Sequence, residues 1–303
     1  MNQTEQGRNR VIIEGIGPEI DAGRFPIKRV VGDFVLVEAD VFTDGHDSVA
    51  AVLQYRFTET APLAPSSIET EWQEVAMTPL VNDRWKGAFR VDQVGTYLYR
   101  VVGWVDRFFT WHHDLQKRVA AGQATKVDLV IGADLIEAVG EQANGEDRNT
   151  LQMWSRRLRT DEALMNVEKI AEDEDLEHLM KRCGRRDFAT TSTRELAVVV
   201  DRERAGFSSW YEMFPRSASA TPGKHGTLKD VEARLPYVAK MGFDVLYLPP
   251  IHPIGQAFRK GKNNTPEAHP DDVGSPWGIG SEEGGHKSIH PELGTLSDFQ
   301  QLV

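Results

Sequence analysis

Between Pro250 and Thr295 the chain shows little hydrophobic periodicity but holds Arg259, Lys260, Lys262, Asn263 and Asn264, followed by Trp277. A lysine is a compact point charge that suits a phosphate, and a side-chain amide donates to and accepts from sugar hydroxyls at once. An indole offers a flat apolar face to a pyranose ring. Loops longer than about 15 residues are usually functional or disordered. Composition by itself favours a different reading, a solvated basic turn beside a core tryptophan.

Other chemistry finds less support. His286 and His290 are spaced like a helical zinc pair, but Gly284, Gly285 and Pro291 argue against a helix and no third ligand is evident. No metal and no cofactor are expected. Ser217 and Ser219 lie in no nucleophile elbow, and no glycine-rich phosphate loop of the nucleotide type is present. Glycosyl chemistry requires paired carboxylates. Glu212, Asp271, Asp272, Glu282 and Glu283 are the carboxylates at hand, and none is placed as acid or nucleophile. No residue of this chain is assigned a catalytic role. Trp72, Trp85, Trp104 and Trp111 form either a carbohydrate platform or, as aromatics of a small sandwich more often do, part of a core.

The elements that must position the loop follow from periodicity. Residues 206–303 read β, α, β, long loop, α. Ser208–Phe214 is a first strand. A helix runs from Thr227 as N-cap to Gly242 past its end, with a kink at Pro236. Phe243–Leu248 is a second strand, apolar enough to be buried on both faces as parallel strands are, and Thr295 opens a further helix. A long loop after the C-terminal end of such a strand is where barrel enzymes build active sites. Two βα units are a beginning only, since a complete (β/α)8 TIM barrel takes roughly 250 residues. The chain is expected to stop at Val303 in mid-architecture, exposing strand edges and apolar surface that favour aggregation.

Upstream, residues 11–127 read as an antiparallel β-sandwich. In Gly95–Trp104, Tyr97, Tyr99 and Val101 alternate with Leu98, Arg100, Val102 and Trp104, and turn chemistry recurs between the runs. Glycine and proline thin out over 128–192, where Leu164, Val167 and Ile170, then Leu176, Leu179 and Met180, have helical spacing. A strand resumes within 193–203. The helical module is therefore expected to be inserted into the sandwich. Residues 1–10 read as a disordered tail.

The 303 residues suffice for two or three domains. A hydrophobic fraction of 40% and a charged fraction of 27% are ordinary for a soluble globular protein. The formal charge of −11 argues against nucleic acid or an anionic membrane as partner. Cys183 is the single cysteine, so no internal disulfide forms. Neither a secretory signal nor a membrane span is visible, and a cytoplasmic protein is expected.

Three runs, Trp210-Tyr-Glu-Met-Phe-Pro-Arg-Ser217, Leu246-Tyr-Leu-Pro-Pro-Ile-His-Pro-Ile-Gly255 and Arg259-Lys-Gly-Lys-Asn-Asn264, resemble the maltose-1-phosphate-dependent maltosyltransferases (GlgE type) of the α-amylase superfamily. Trp277-Gly-Ile-Gly-Ser-Glu-Glu-Gly-Gly-His286 does so too. Trp85-Lys-Gly-Ala-Phe89, Gly95-Thr-Tyr-Leu-Tyr-Arg-Val101 and Val200-Asp-Arg-Glu-Arg-Ala205 are similar to that family's N-terminal part. The resemblance implies transfer of maltosyl units from α-maltose 1-phosphate to the non-reducing end of α-1,4-glucan or maltooligosaccharide, by retaining double displacement. It implies a homodimer assembled through the helical insertion. It also implies that the catalytic carboxylates lie on later strands, so that this chain alone is inactive. Carried over by position, Lys260 and Asn264 contact the donor, Ser275 and Trp277 shape the same pocket, and Lys262 is a weaker candidate. Two readings compete: an amylase-type hydrolase or glucan branching enzyme, and a non-catalytic glucan-binding or dimerising module. The Arg-Lys-Gly-Lys-Asn-Asn run weighs against the hydrolase.

Overall fold

In the computed structural model, which describes residues 8–58 and 71–303, the chain divides into two units between Arg202 and Glu203. The first unit contains two sheets. One has the order β1 (Val11–Gly17), β3 (Phe34–Thr43), β7 (Arg84–Arg90), β6 (Thr78–Pro79). The other runs β2 (Ile27–Val30), β10 (Leu196–Asp201), β8 (Gly95–Val105), β4 (Val49–Thr58), β5 (Gln73–Ala76), with β9 (Thr190–Thr191) also beside β8. Pairing is antiparallel except between β10 and β2.

Alternation decides which side chains meet between the sheets. Val35, Val37, Ala39 and Val41 of β3 are buried, as are Tyr97, Tyr99 and Val101 of β8, and all belong to one apolar cluster. Tyr55 of β4 stacks on Phe89 of β7 at 4.4 Å between ring centroids. This is a β-sandwich core.

The tryptophans do not form a platform. Trp104 and Trp111 are buried, and the Trp85 indole N–H donates to the Val41 carbonyl at 3.0 Å. Trp72 packs against the guanidinium groups of Arg56 and Arg100, 4.5 and 4.0 Å from its ring centroid. Of the expected N-terminal tail, residues 1–7 lie outside the described residues. Arg10, however, is held by Asp44 and Asp47 at 2.7 and 2.6 Å.

The helical module starts at Arg107, not at 128 as the thinning of glycine and proline suggests. Asp106 caps α1 (Arg107–Ala120) by accepting from the Phe109 N–H at 3.0 Å. The aromatic run Phe108, Phe109, Trp111 disguises the helical period. Next come α2 (Lys126–Gly140), α3 (Gly145–Leu158), α4 (Asp161–Met165), α5 (Val167–Ala171) and α6 (Glu174–Cys183). Leu164, Val167 and Ile170 do not share one helix: Asn166, with φ −113°, separates α4 from α5. Leu164 is exposed and Ile170 is buried. Leu176, Leu179 and Met180 join the module's own core with Leu115, Leu129 and Leu151. The helices lie in sequence between β8 and β9, two strands that pair with each other. Among the described residues no helix is long and apolar enough to cross a membrane.

In the second unit, β11 (Trp210–Glu212) and β12 (Val245–Tyr247) pair in parallel, joined through α7 (Leu228–Lys240). Thr227 and Asp230 form a reciprocal capping box at the start of α7. The second strand is not buried on both faces. Among its residues Val245 and Leu246 are half-buried and Tyr247 is 40% exposed. A last helix, α8 (Leu296–Leu302), is capped by Thr295 with Asp298 in the same way.

Two predictions follow from the helical module. A Cβ at Gly132 would overlap the Trp111 ring, whose indole N–H donates to the Asp128 carbonyl at 2.6 Å. Gly132→Ala is therefore expected to cost about 1–3 kcal/mol through overpacking, read as a lower thermal midpoint.

The second concerns His112, which is buried. Burial holds its pKa below the ordinary histidine value, outweighing the Glu177 carboxylate 3.5 Å from Nδ1. The unfolded chain thus binds the proton more readily. Stability is expected to fall as pH drops below the unfolded value of about 6.5. His112→Gln should show a shallower loss between pH 7.5 and 5.5. An equal slope in the variant would assign the pH dependence to other groups.

Candidate functional site

The loop that leaves β12 is irregular, but cross-links hold it. Ile254 bridges Ile279, the Gly280 N–H donates to the Pro253 carbonyl at 2.9 Å, and the His290 N–H donates to the Ile251 carbonyl at 2.8 Å. Sequence reading counts Arg259 among the donors available to a ligand. Instead its guanidinium is spent on the backbone: Nε, Nη1 and Nη2 donate to the carbonyls of Gly255, Asp272 and Ile254, each at 2.9 Å.

The basic turn after Arg259 is tightly built. A Cβ at Gly261 would stand 2.5 Å from Thr265 Oγ1 and closer still to the Glu267 carbonyl, so a glycine is required there. Asn263 and Asn264 follow with φ of 54° and 63°, a left-handed conformation that asparagine tolerates better than most residues.

This packing brings all five sequence-selected residues into one open cleft of about 570 Å³. Lys260, Lys262 and Asn264 come from the basic turn, and Ser275 and Trp277 from the segment that returns. Phe214 and Arg216, which follow β11, also line it. Trp277 is 56% exposed and meets the edge of Phe214 at 5.9 Å and 77°. That contact orients the indole and leaves it accessible. Neither Lys260 nor Lys262 has an ion pair among the described residues, and both are exposed. Asp271 and Asp272 line the same cleft. Asp272 is occupied in accepting the His269 N–H at 2.7 Å. The cleft therefore offers exposed ammonium donors, an amide and an aromatic face.

Sequence reasoning missed Phe214 and Arg216 as lining residues. Their signal is their place directly after the first strand, at the same end as the loop. The two histidines spaced four apart find separate partners. His286 packs near His252 at 5.7 Å, and His290 lies parallel to His225 at 6.0 Å. His290 Nδ1 accepts the Glu292 N–H at 3.2 Å, and burial depresses its pKa. Among the described residues no group of three or more metal-ligating side chains is assembled. A smaller cavity of about 80 Å³, lined by His225, His252, His290 and Arg259, shares Phe214 and Arg216 with the cleft.

Residues 9–202 match the family described as alpha-1,4-glucan:maltose-1-phosphate maltosyltransferase, domain N/S. Proteins bearing that enzyme's name are similar over nearly the whole chain. The one from Chlorobaculum tepidum is 49% identical over 297 residues, covering 98% of this chain and 43% of its own length. The one from Methylacidiphilum infernorum is 43% identical over 298 residues, with 98% and 43% covered. The one from Myxococcus xanthus is 44% identical over 297 residues, with 97% and 44% covered. The chain thus spans under half the length of these relatives. With one family matching its first unit and such identity continuing through the loop that forms the cleft, the chain belongs to the alpha-1,4-glucan:maltose-1-phosphate maltosyltransferase family.

Proposed function

We propose that the cleft is the donor site for α-maltose 1-phosphate in a maltosyltransferase that extends α-1,4-glucan at its non-reducing end with release of phosphate. One observation carries this reading: Lys260, Lys262, Asn264, Ser275 and Trp277 line a single cleft. The lysines suit the phosphate, Asn264 the phosphate or a sugar hydroxyl, and the exposed indole a glucosyl face. The second unit then represents the first βα units of a (β/α)8 barrel, supported by the parallel β11–α7–β12 arrangement. The carboxylates of a retaining double displacement are assigned to parts of the protein other than this chain. Location in the cytoplasm fits this chemistry.

The helical module is proposed to join two copies of the protein. Val127 and Ile131, one turn apart on α2, and Met153 on α3 are exposed apolar side chains, the kind of surface that marks an interface. Val127→Asp with Ile131→Asp is expected to convert a dimer to monomers in sedimentation velocity. A dimer that persists would place the interface elsewhere.

For the donor site, Lys260→Ala in the whole protein removes a charge-assisted hydrogen bond worth about 1.5–3 kcal/mol. The donor KM is expected to rise roughly 10- to 100-fold, while the KM for a maltooligosaccharide changes little, both read by phosphate release. Equal losses for donor and acceptor would remove Lys260 from the donor site.

A further inference from the structure

Lys260 lines the cleft, whereas its neighbour Arg259 lines the smaller cavity. The three carbonyls that Arg259 binds lie on both sides of the basic turn: Ile254 and Gly255 before it, Asp272 after it. The guanidinium therefore closes residues 254–272 into a ring, and that ring carries Lys260, Lys262 and Asn264. The arginine stem also packs on Gly274, where a Cβ would stand 2.9 Å from Arg259 Cγ. Gly274 precedes Ser275, which also lines the cleft. One side chain thus touches both segments that line the cleft. Among the described residues no carboxylate pairs with Arg259, so every hydrogen bond it makes serves the main chain.

We propose that Arg259 is a positioning residue for the donor site. Building on the reading of the cleft as a sugar-phosphate site, it sets the spacing between the lysine-bearing turn and the Ser275–Trp277 wall. The planar guanidinium reaches three carbonyls at once, and a lysine ammonium has neither that fork nor that span. Without the clasp the ring samples many conformations, and Lys260 meets the phosphate only after the loop is ordered. Misplacement of a binding group by about 1 Å can cost on the order of 100-fold. A lysine keeps the charge and one of the hydrogen bonds, so a roughly tenfold loss is expected for Arg259→Lys.

The test combines kinetics and hydrogen exchange on the whole protein, comparing wild type, Arg259→Lys, Lys260→Ala and the double variant. Arg259→Lys is expected to raise the KM for α-maltose 1-phosphate roughly tenfold with kcat little changed. It should also speed amide exchange at Gly261 and Asp272, whose N–H groups are bonded within the ring to the carbonyls of Thr265 and His269. In the Lys260→Ala background the same substitution should raise the donor KM by clearly less than it does in the wild type, because much of its effect acts through Lys260. A full additional loss in that background would show a general structural role and overturn the proposal, as would unaltered exchange. If Lys260→Ala weakens the donor while Arg259→Lys does not, the positioning role alone falls. An unchanged donor KM in Lys260→Ala overturns the donor reading and the positioning role with it, even where exchange shows the clasp to be real. Arg259→Gln, which keeps a planar donor for one carbonyl, is expected to give the same donor-specific loss and serves where the lysine variant fails to fold.

Discussion

The first unit depends on the pairing of one strand. β8 is bound by β4 along Val49–Thr58 on one side and by β10 and β9 on the other. A strand with neighbours on both sides has its backbone donors and acceptors satisfied, so it can be buried without loss. Tyr97, Tyr99 and Val101 then face the inter-sheet core, while Val102 and Trp104 pack on the other face. The chain leaves β8 at Asp106, which caps the first helix, and returns at β9 and β10 to the same strand. The helical module can therefore carry its own apolar core without disturbing the sandwich, because its ends are anchored on a single strand.

The second unit faces the opposite problem. Its long loop has no ladder to satisfy its carbonyls, and an irregular segment pays conformational entropy for every residue it orders. Arg259 answers part of this with a charge that needs no carboxylate: three carbonyls take the place of one ion pair. Among the described residues the lysines on the same turn have no ion pair, and both are exposed. Two neighbouring cations thus differ in their surroundings, with Arg259 turned to the main chain and Lys260 lining the cleft. Electrostatically, the exposed ammonium groups of the cleft are partly offset by Asp271.

Aromatic residues show why burial cannot be read from composition. Trp104 and Trp111 are core, Trp72 is covered by two arginines, and Trp277 stands open at the cleft. All four have the same side chain. What separates them is the neighbour that arrives from elsewhere in the chain: Arg100 of β8 over Trp72, the Asp128 carbonyl at the Trp111 indole, the edge of Phe214 against Trp277.

Much of this was legible in the residues themselves. The alternation in Gly95–Trp104, the caps Thr227 and Thr295, and the basic turn at 259–264 are local patterns, set by side-chain period, capping chemistry and charge. The family was legible too, because its motifs are contiguous. Tertiary structure alone decided that the helical module begins at Arg107 and that Leu164 and Ile170 part company. It also decided that Lys260 and Trp277, 17 positions apart, share one cleft while Arg259 is spent on carbonyls. The physical reason is the same in each case. Period and capping act over a few residues, whereas burial and hydrogen-bond partners depend on which distant segment is packed alongside.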